Sequence, residues 1–424
     1  MVYTMPEFLE RRYNPQSRTI LSVISLVSYV LTKVAVTVYA GGLVFQQVFG
    51  IKELWGIDFF WIAAIGLVVL TALYTIFGGM KSVLYTSVLQ TPILLLGSLI
   101  ILVLGFKELG GWDEMMRVCG AVTVNDYGDT MTNLIRSNDD ANFPWLGALI
   151  GSAIIGFWYW CTDQFIVQRV LSGKNEKEAR RGTIFGAYLK LLPVFLFLIP
   201  GMIAFALHQK YIGAGGEGFL PMLANGTANA DAAFPTLVAK LLPAGVKGLV
   251  VCGILAALMS SLASLFNSSA MLFTIDFYKR FRPETPEKKL VGIGQIATVV
   301  IVILGILWIP IMRSVGDVLY TYLQDVQSVL APGIAAAFLL GICWKRTSAQ
   351  GGMWGLIAGM IIGLTRLGAK VYYSNAGEVA DSTFKYLFYD MNWLFFCGWM
   401  FLFCIIVVIV VSLATEAPTA EKIQ

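Results

Sequence analysis

The chain has 424 residues, of which 57% are hydrophobic and only 13% are charged, and its net charge is +4. Soluble domains carry about a quarter charged residues, and they need polar side chains to cover a core of this size. The composition therefore excludes a soluble globular protein and predicts one that crosses a membrane several times. The small net charge gives no indication of a nucleic-acid partner.

Ten apolar stretches are long enough to cross a bilayer, which requires about 20 mostly apolar residues. We predict transmembrane helices over 19–48, 58–78, 83–106, 146–168, 183–208, 243–278, 290–312, 317–343, 350–371 and 391–414. The predicted fold class is an all-α membrane protein with about ten transmembrane helices. We predict that the first 18 residues form an amphipathic lead-in, because they lack the apolar h-region of a signal peptide.

Lysine and arginine are concentrated in alternate connections, among them RVLSGKNEKEARR and KRFRPETPEKK. The connections 107–145 and 209–242 are longer and poor in basic residues. Because cytoplasmic loops carry the excess of Lys and Arg, we place the N-terminus in the cytoplasm. The predicted location of the protein is a plasma or inner membrane. Ten spans then return the tail, 415–424, to the same side.

The first span contains Lys33 and no acidic residue. A charge within the hydrocarbon is costly unless it reaches the interface or finds a partner. Lys33 is therefore expected to extend toward the interface, or to have a partner that is missing from this chain.

An aromatic segment, FWYWCTDQFIVQR, occupies residues 157–169. At about 100° per residue, Gly156, Tyr159 and Asp163 share one helix face, with Trp158 and Trp160 beside it. Aromatic planes next to amide and hydroxyl groups are typical of a sugar site. An interfacial aromatic belt is the alternative, and it is the weaker explanation because the aromatic residues lie mid-to-late in the span.

A lysine also lies inside the span 183–208, in the segment GAYLKLLPVF. Lys190 and Asp163 lie at similar depth when the rise of 1.5 Å per residue is counted from the cytoplasmic helix ends. The two could form an ion pair, or both could face a cavity.

A stripe of small and polar residues runs along 251–269. Its members share an arc of about 120°; they are Gly253, Ala257, Ser260, Ser261, Ser264, Asn267 and Ser268. One interpretation is close helix packing, with serines bonded to their own helix. The other is coordination of a monovalent cation by hydroxyl and carbonyl oxygens. The segment contains no carboxylate, which argues against a tight divalent site.

A third polar arc lies in YTYLQDVQSVLAP, where Tyr320, Gln324, Gln327 and Ser328 share a face. Pro332 is expected to disturb the helix beyond them. No nucleophile–base set, phosphate loop or metal cluster accompanies these segments, so we predict no enzymatic activity.

Five segments together resemble the sodium/solute symporter family, specifically its sodium–glucose cotransporters. In chain order they are LTKVAVTVYAGGLVFQQ, FGGMKSVLYTSVLQT, GFWYWCTDQFIVQRVLSGK, GAYLKLLPVFLFLIPGMI and AALMSSLASLFNSSAMLFTIDFYKR. The resemblance implies a leucine-transporter-like fold, in which two five-helix inverted repeats bind sodium and sugar at interrupted helices. Family members have three further helices before YTMPEF, so the first inverted repeat is expected to be incomplete here.

The resemblance also implies a division of the chain. Residues 1–18 form the cytoplasmic lead-in, 19–145 the remainder of the first repeat with an outer loop, 146–346 the second repeat, 347–414 two peripheral helices and 415–424 the cytoplasmic tail.

Roles for individual residues follow from the same resemblance. Ala257, Ser260 and Ser261 are the implied sodium ligands, through the alanine carbonyl and the two hydroxyls. The implied substrate-binding residues are Tyr159, which stacks on the sugar, Lys190 and Gln324, which contact its hydroxyls, and the neighbouring Trp160 and Gly156.

Two positions depart from the family pattern. Relatives often carry Asn, Ser or Thr at the position of Gly156, and Asp at the position of Ser87 in the motif YTDxxQ. A second sodium site would use that Asp and a hydroxyl where this chain has Ala263. One sodium per sugar is therefore expected.

The expected function is sodium-coupled symport of a glucose- or galactose-like monosaccharide by alternating access, with sodium as the coupling ion. Two alternatives remain open. One is a transport-inactive symporter fragment or a sensor or accessory membrane protein. The other is a sodium symporter of another small solute, such as inositol or sialic acid.

Overall fold

The computed structural model describes residues 4–223, 226–315, 318–375 and 381–422, and all side chains within them except at 74, 76–84, 86, 89, 313–315 and 421. Within these ranges the chain is helical apart from loops, two isolated bridges and one antiparallel ribbon that pairs Glu53–Leu54 with Ile57–Asp58. The predicted all-α class is confirmed.

The helices of eight or more residues are Met5–Arg12, Pro15–Ser28, Ala35–Phe49, Phe59–Leu109, Trp112–Gly120, Trp145–Phe157, Gln164–Leu171, Glu176–Leu189, Ile199–Gly213, Ala233–Leu241, Ala244–Met271, Glu287–Val315, Leu319–Cys343, Ala349–Asn375 and Trp393–Ala414. The π-helical segments are Tyr29–Val34, Trp158–Thr162, Val194–Leu198, Leu272–Tyr278 and Tyr386–Asp390. The remaining helices have three residues each and are Ala230–Ala232, Lys279–Phe281, Thr383–Lys385 and Ala420–Lys422.

Among the described residues, nine helical stretches are long and apolar enough to cross a membrane. They are Pro15–Phe49, Gln90–Leu109, Trp145–Thr162, Glu176–Gly213, Ala244–Phe281, Glu287–Met312, Leu319–Cys343, Ala349–Asn375 and Trp393–Ala414. A shorter apolar stretch, Phe59–Leu73, lies within the remaining predicted span, 58–78.

The predicted spans 58–78 and 83–106 form one continuous helix of 51 residues, Phe59–Leu109. Between the two predicted spans the sequence offers glycine, which costs a helix only about 1 kcal/mol, and no proline. Pro92 lies inside the helix without ending it. At 1.5 Å per residue the helix is about 75 Å long, which exceeds the thickness of the hydrocarbon core.

Contacts divide the chain into two compact units. The first comprises residues 1–35, 137–179 and 265–424, and the second comprises residues 36–136 and 180–264.

The first unit is built around Leu319–Cys343, which is buried almost throughout 325–338. Its neighbour Ala349–Asn375 carries glycine at every fourth position from 351 to 363. A Cβ atom added to Gly359 would lie 2.7 Å from the Cα atom of Gly333. Small residues at this spacing let two transmembrane backbones approach closely.

Replacing Gly359 by valine should destabilise this helix pair. The added side chain meets backbone atoms that cannot rotate away, and such overpacking costs about 3 kcal/mol. Gly368→Val is the matched control, because a Cβ atom there meets no atom within 4 Å. Thermal unfolding in detergent should show a lower melting temperature for Gly359→Val alone. Equal melting temperatures for both variants would contradict the close approach.

The predicted lead-in is the helix Met5–Arg12, and it is tied to the first unit. Thr4 caps it by accepting a hydrogen bond from the Glu7 amide at 3.2 Å. Arg12 is buried and donates to the Gly341 carbonyl at 2.7 Å, and the Tyr13 hydroxyl donates to the Ala337 carbonyl at 2.6 Å. The lead-in therefore packs on the helix Leu319–Cys343.

The second unit has its own apolar core. Buried side chains from Phe59–Leu109, Ile199–Gly213 and Ala244–Met271 meet there, and Trp112–Gly120 and Ala233–Leu241 add further residues. Gly97 allows a close approach, because a Cβ atom there would lie 2.5 Å from the Val250 Cγ2 atom. This core fixes the helix that carries the serine stripe.

Candidate functional site

The predicted span 146–168 is interrupted at Asp163. The helix Trp145–Phe157 passes into the π-helical segment Trp158–Thr162, and Asp163 then adopts an extended conformation with φ −77° and ψ 119°. Its carboxylate caps the next helix by accepting a hydrogen bond from the Phe165 amide at 3.1 Å. Aspartate favours this capping position, so the break has a local cause.

The aromatic segment lies immediately before this break. Tyr159 is half-buried, and its ring forms T-shaped contacts with the rings of Trp160 and Trp158, whose centroids lie 5.1 Å and 6.2 Å from its own. Trp160 is exposed and Trp158 is buried. A Cβ atom on Gly156 would meet nothing within 4 Å, so there is free space one turn before Tyr159.

Lys33 finds its partner inside the chain. Its ammonium forms a buried ion pair with the Asp163 Oδ2 atom. The Tyr29 hydroxyl donates to the Asp163 Oδ1 atom at 3.1 Å. The alternatives of an interfacial lysine or an external partner are therefore wrong for Lys33.

Lys190 also lies at a helix interruption. The helix Glu176–Leu189 ends directly before it, and Lys190 and Leu191 form a turn. Pro193 has no N–H to donate to the Leu189 carbonyl, which accounts for the break. The helix is therefore interrupted by a turn within the predicted span 183–208, and the Lys190 side chain is exposed.

The serine stripe lies on the helix Ala244–Met271, which is continuous through Ala257, Ser260 and Ser261. Ser260 is buried, and its Oγ atom lies 2.7 Å from the Oγ atom of Ser87. At the other end of the stripe, a Cβ atom on Gly253 would lie 3.0 Å from the Ile93 Cγ2 atom. The stripe thus combines close packing at Gly253 with hydroxyls that face another helix at Ser260.

The third polar arc is divided by burial. Gln324 is half-buried, and its Nε2 atom donates to the Tyr320 hydroxyl at 2.9 Å. Gln327 and Ser328 are buried, and the Ser328 hydroxyl donates to the Asp325 carbonyl at 2.6 Å. Pro332 lies within the helix without ending it.

The predicted site residues fall into the two units. Gly156, Tyr159, Trp160 and Gln324 belong to the first unit, and Lys190, Ala257, Ser260 and Ser261 belong to the second.

A charged cluster next to Gln324 was not predicted. The Asp325 carboxylate pairs with Lys370 at 2.6 Å and with Arg366 at 3.5 Å. The Arg366 guanidinium is buried and lies over the Phe396 ring at 4.1 Å. The signal was available, because ionisable residues within an apolar span need partners.

Comparison with known proteins identifies relatives along the whole chain. A family model described as Sodium:solute symporter family matches residues 1–359. The sodium/myo-inositol cotransporter 2 of Homo sapiens is 35% identical over 435 residues, which cover 100% of this chain and 63% of that protein. The sodium/mannose cotransporter SLC5A10 of Bos taurus is 37% identical and covers 100% of this chain and 72% of that protein. The sodium/glucose cotransporter 1 of Ovis aries is 37% identical, with 99% and 65% covered. The chain thus spans about two thirds of the length of the relatives it matches.

A solved structure shares the fold. It is described as the substrate-bound outward-open state of a Na⁺-coupled sialic acid symporter, and it matches with a TM-score of 0.72. The match covers 98% of this chain and 78% of that chain at 21% sequence identity. The predicted leucine-transporter-like fold is confirmed.

Proposed function

Because the chain belongs to the sodium:solute symporter family, we propose that it acts in sodium-coupled symport of a small polyhydroxylated solute, a monosaccharide or a related cyclic polyol. The named relatives are cotransporters of myo-inositol, mannose and glucose at similar identity, so both chemical classes are included. The observation that carries the proposal is the helix interruption at Asp163, directly after a cluster of aromatic residues. The protein would act in a plasma or inner membrane, with residues 1–18 in the cytoplasm.

The proposed sodium ligands are the Ala257 carbonyl and the hydroxyls of Ser260 and Ser261. The Ser260 hydroxyl supports this role because it is directed at another hydroxyl at 2.7 Å, which leaves oxygen lone pairs available for a cation. Neutral oxygen ligands suit a monovalent ion that must bind and leave in every transport cycle.

The proposed solute site uses Tyr159 as a stacking surface, with Trp160 and Gly156 beside it. Gln324 would bind a hydroxyl group, and the family resemblance assigns the same role to Lys190. The half-buried position of Tyr159 and the free space at Gly156 support contact with a solute of this kind. An aromatic face that packs on C–H groups, with polar side chains around it, is the usual construction of such sites.

Uptake into proteoliposomes tests this function. Uptake of radiolabelled myo-inositol, glucose and mannose should be faster under an inward sodium gradient than under a choline gradient, and Tyr159→Ala should reduce the difference by weakening binding of the solute. Equal uptake in sodium and choline for all three solutes would contradict the proposal and favour a transport-inactive membrane protein.

Gln324→Ala should weaken binding of the transported solute by roughly 5- to 150-fold. A bound hydroxyl that loses its partner is left unsatisfied, which costs about 1–3 kcal/mol, and about 1.4 kcal/mol corresponds to a factor of ten. The Michaelis constants of the solute and its deoxy analogues measure the effect. The analogue that lacks the contacted hydroxyl should lose much less affinity. Equal losses for every analogue would show that Gln324 acts only on folding.

A further inference from the structure

One lysine ammonium in the first unit is enclosed by a carboxylate and three aromatic rings. Lys33 pairs with Asp163, and its Nζ atom lies 4.3 Å from the Phe165 ring centroid, 4.6 Å from that of Tyr29 and 5.5 Å from that of Tyr159. Both charged residues are buried. A cation over aromatic faces is attracted by the electron density of the rings, and this attraction grows when water is excluded.

The contacts join two irregular helical segments. Lys33 lies in the π-helical segment Tyr29–Val34, and Asp163 follows the π-helical segment Trp158–Thr162. The Tyr29 hydroxyl donates to the Asp163 carboxylate at 3.1 Å and accepts from the Phe165 amide at 3.0 Å. Tyr29 and Lys33 thus bind the residues at the helix interruption, Asp163 and Phe165. Short π-helical turns such as these two are frequent at functional sites.

We propose that Lys33, held in place by Asp163, is a positioning residue for the Tyr159 ring. The Asp163 carboxylate fixes the Lys33 ammonium next to the helix interruption. The ammonium in turn attracts the face of the Tyr159 ring, which lies four residues before Asp163 in the sequence. Lys33 therefore acts on the solute through Tyr159. This inference rests on the proposed function for its effect on transport, but its structural part is testable without transport.

The choice of variants follows from the burial of the pair. Lys33→Met alone leaves the Asp163 carboxylate buried without its cation, and a broken buried pair can prevent folding. The informative variant is therefore Lys33→Met with Asp163→Asn, which removes both charges at similar volume. Lys33→Arg keeps the cation. Lys240→Met is the matched control, because the Lys240 ammonium lies over the Phe219 ring at 4.7 Å in the second unit.

Uptake kinetics provide the first measurement. The charge-free double variant should raise the Michaelis constant for the solute about fivefold, the factor expected for one cation–π contact, with a maximal rate close to that of the parent. In a Tyr159→Ala background the same two changes should not raise the Michaelis constant any further. Lys33→Arg, which keeps the cation, should retain most of the parent's affinity for the solute. If the double variant raises the Michaelis constant just as much in the Tyr159→Ala background, the proposal is overturned.

Fluorine NMR of a fluorinated tyrosine at position 159 provides the second measurement, which requires neither solute nor transport. The double variant should shift and broaden the resonance. Lys33→Arg should keep it close to its position in the parent protein, and Lys240→Met should leave it unchanged. An unchanged resonance in the double variant would overturn the positioning role even if the protein transports. A shifted resonance in a protein that does not transport would contradict the proposed function alone.

Discussion

Replacing both Ser260 and Ser261 by alanine should raise the sodium concentration needed for half-maximal uptake by roughly 30-fold or more. Each hydroxyl is proposed to supply one oxygen to a buried cation, and the loss of one polar partner costs about 1–3 kcal/mol. The two losses together are at least about 2 kcal/mol, which corresponds to this factor at 1.4 kcal/mol per tenfold. At saturating sodium the affinity for the solute should change much less, because the proposed solute contacts are made by other residues.

A matched control separates coordination from general damage to the helix. The Thr274 hydroxyl, further along the same run of helix, donates to the Ala270 carbonyl at 2.6 Å and so satisfies its own backbone. Thr274→Ala should leave the sodium dependence unchanged. If the serine double variant unfolds at the parent's temperature and also retains the parent's sodium dependence, the assignment of these two ligands is wrong.

The spans were predictable because hydrophobicity over 20 residues is a local property of the sequence. The capping residues at helix starts are also a local property of the sequence. Asn14 directly precedes the helix Pro15–Ser28, and its side chain accepts a hydrogen bond from the Ser17 amide at 2.8 Å. The continuity of Phe59–Leu109 was not predictable in this way, because glycine permits a break without requiring one.

The helix interruptions at Asp163 and near Lys190 are marked by individual residues, which a search for long apolar stretches overlooks. Asp163 is a favoured helix cap, and Pro193 cannot continue the hydrogen-bond pattern of the helix before it. Both residues lie inside apolar stretches, so a count of apolar residues extends each span across the break. The backbone conformation at Asp163 and the turn at Lys190 show where the helices end.

The partners of buried polar residues depend on packing between distant segments. The sequence shows that Lys33 needs a partner, but Asp163 lies 130 residues away and is selected by the fold. Helical rotation likewise groups Gln324 with Gln327 and Ser328, although only Gln324 is left half-buried while the other two are covered. An arc defined by rotation cannot show which of its edges a neighbouring helix will cover.

If the chain acts as the proposed symporter, it should move one sodium ion per solute molecule. Ser87 stands where the family resemblance implies an aspartate, and its Oγ atom lies 2.7 Å from the Oγ atom of Ser260, one of the proposed sodium ligands. A second cation about 4 Å from the first would be repelled by about 4 kcal/mol at an effective dielectric constant near 20. The two side chains of this contact, Ser87 and Ser260, bring no carboxylate to compensate that repulsion, and Ala263 adds no hydroxyl as a further oxygen ligand. Charge-to-solute flux ratios in voltage-clamped proteoliposomes should therefore be near one.

Substituting Ser87 by aspartate should raise this ratio toward two, because the carboxylate would lie beside the Ser260 hydroxyl and supply the missing negative charge. The consequence is large. A tenfold sodium gradient and a potential of about 60 mV each contribute about 1.4 kcal/mol per ion, so a second ion raises the attainable solute gradient roughly 100-fold. Ser87→Asn is the control, since it adds an oxygen ligand without the charge and should leave the ratio at one. A ratio near two in the parent protein would show that other groups hold the second ion, and a ratio of one in Ser87→Asp would show that the charge alone does not create the site.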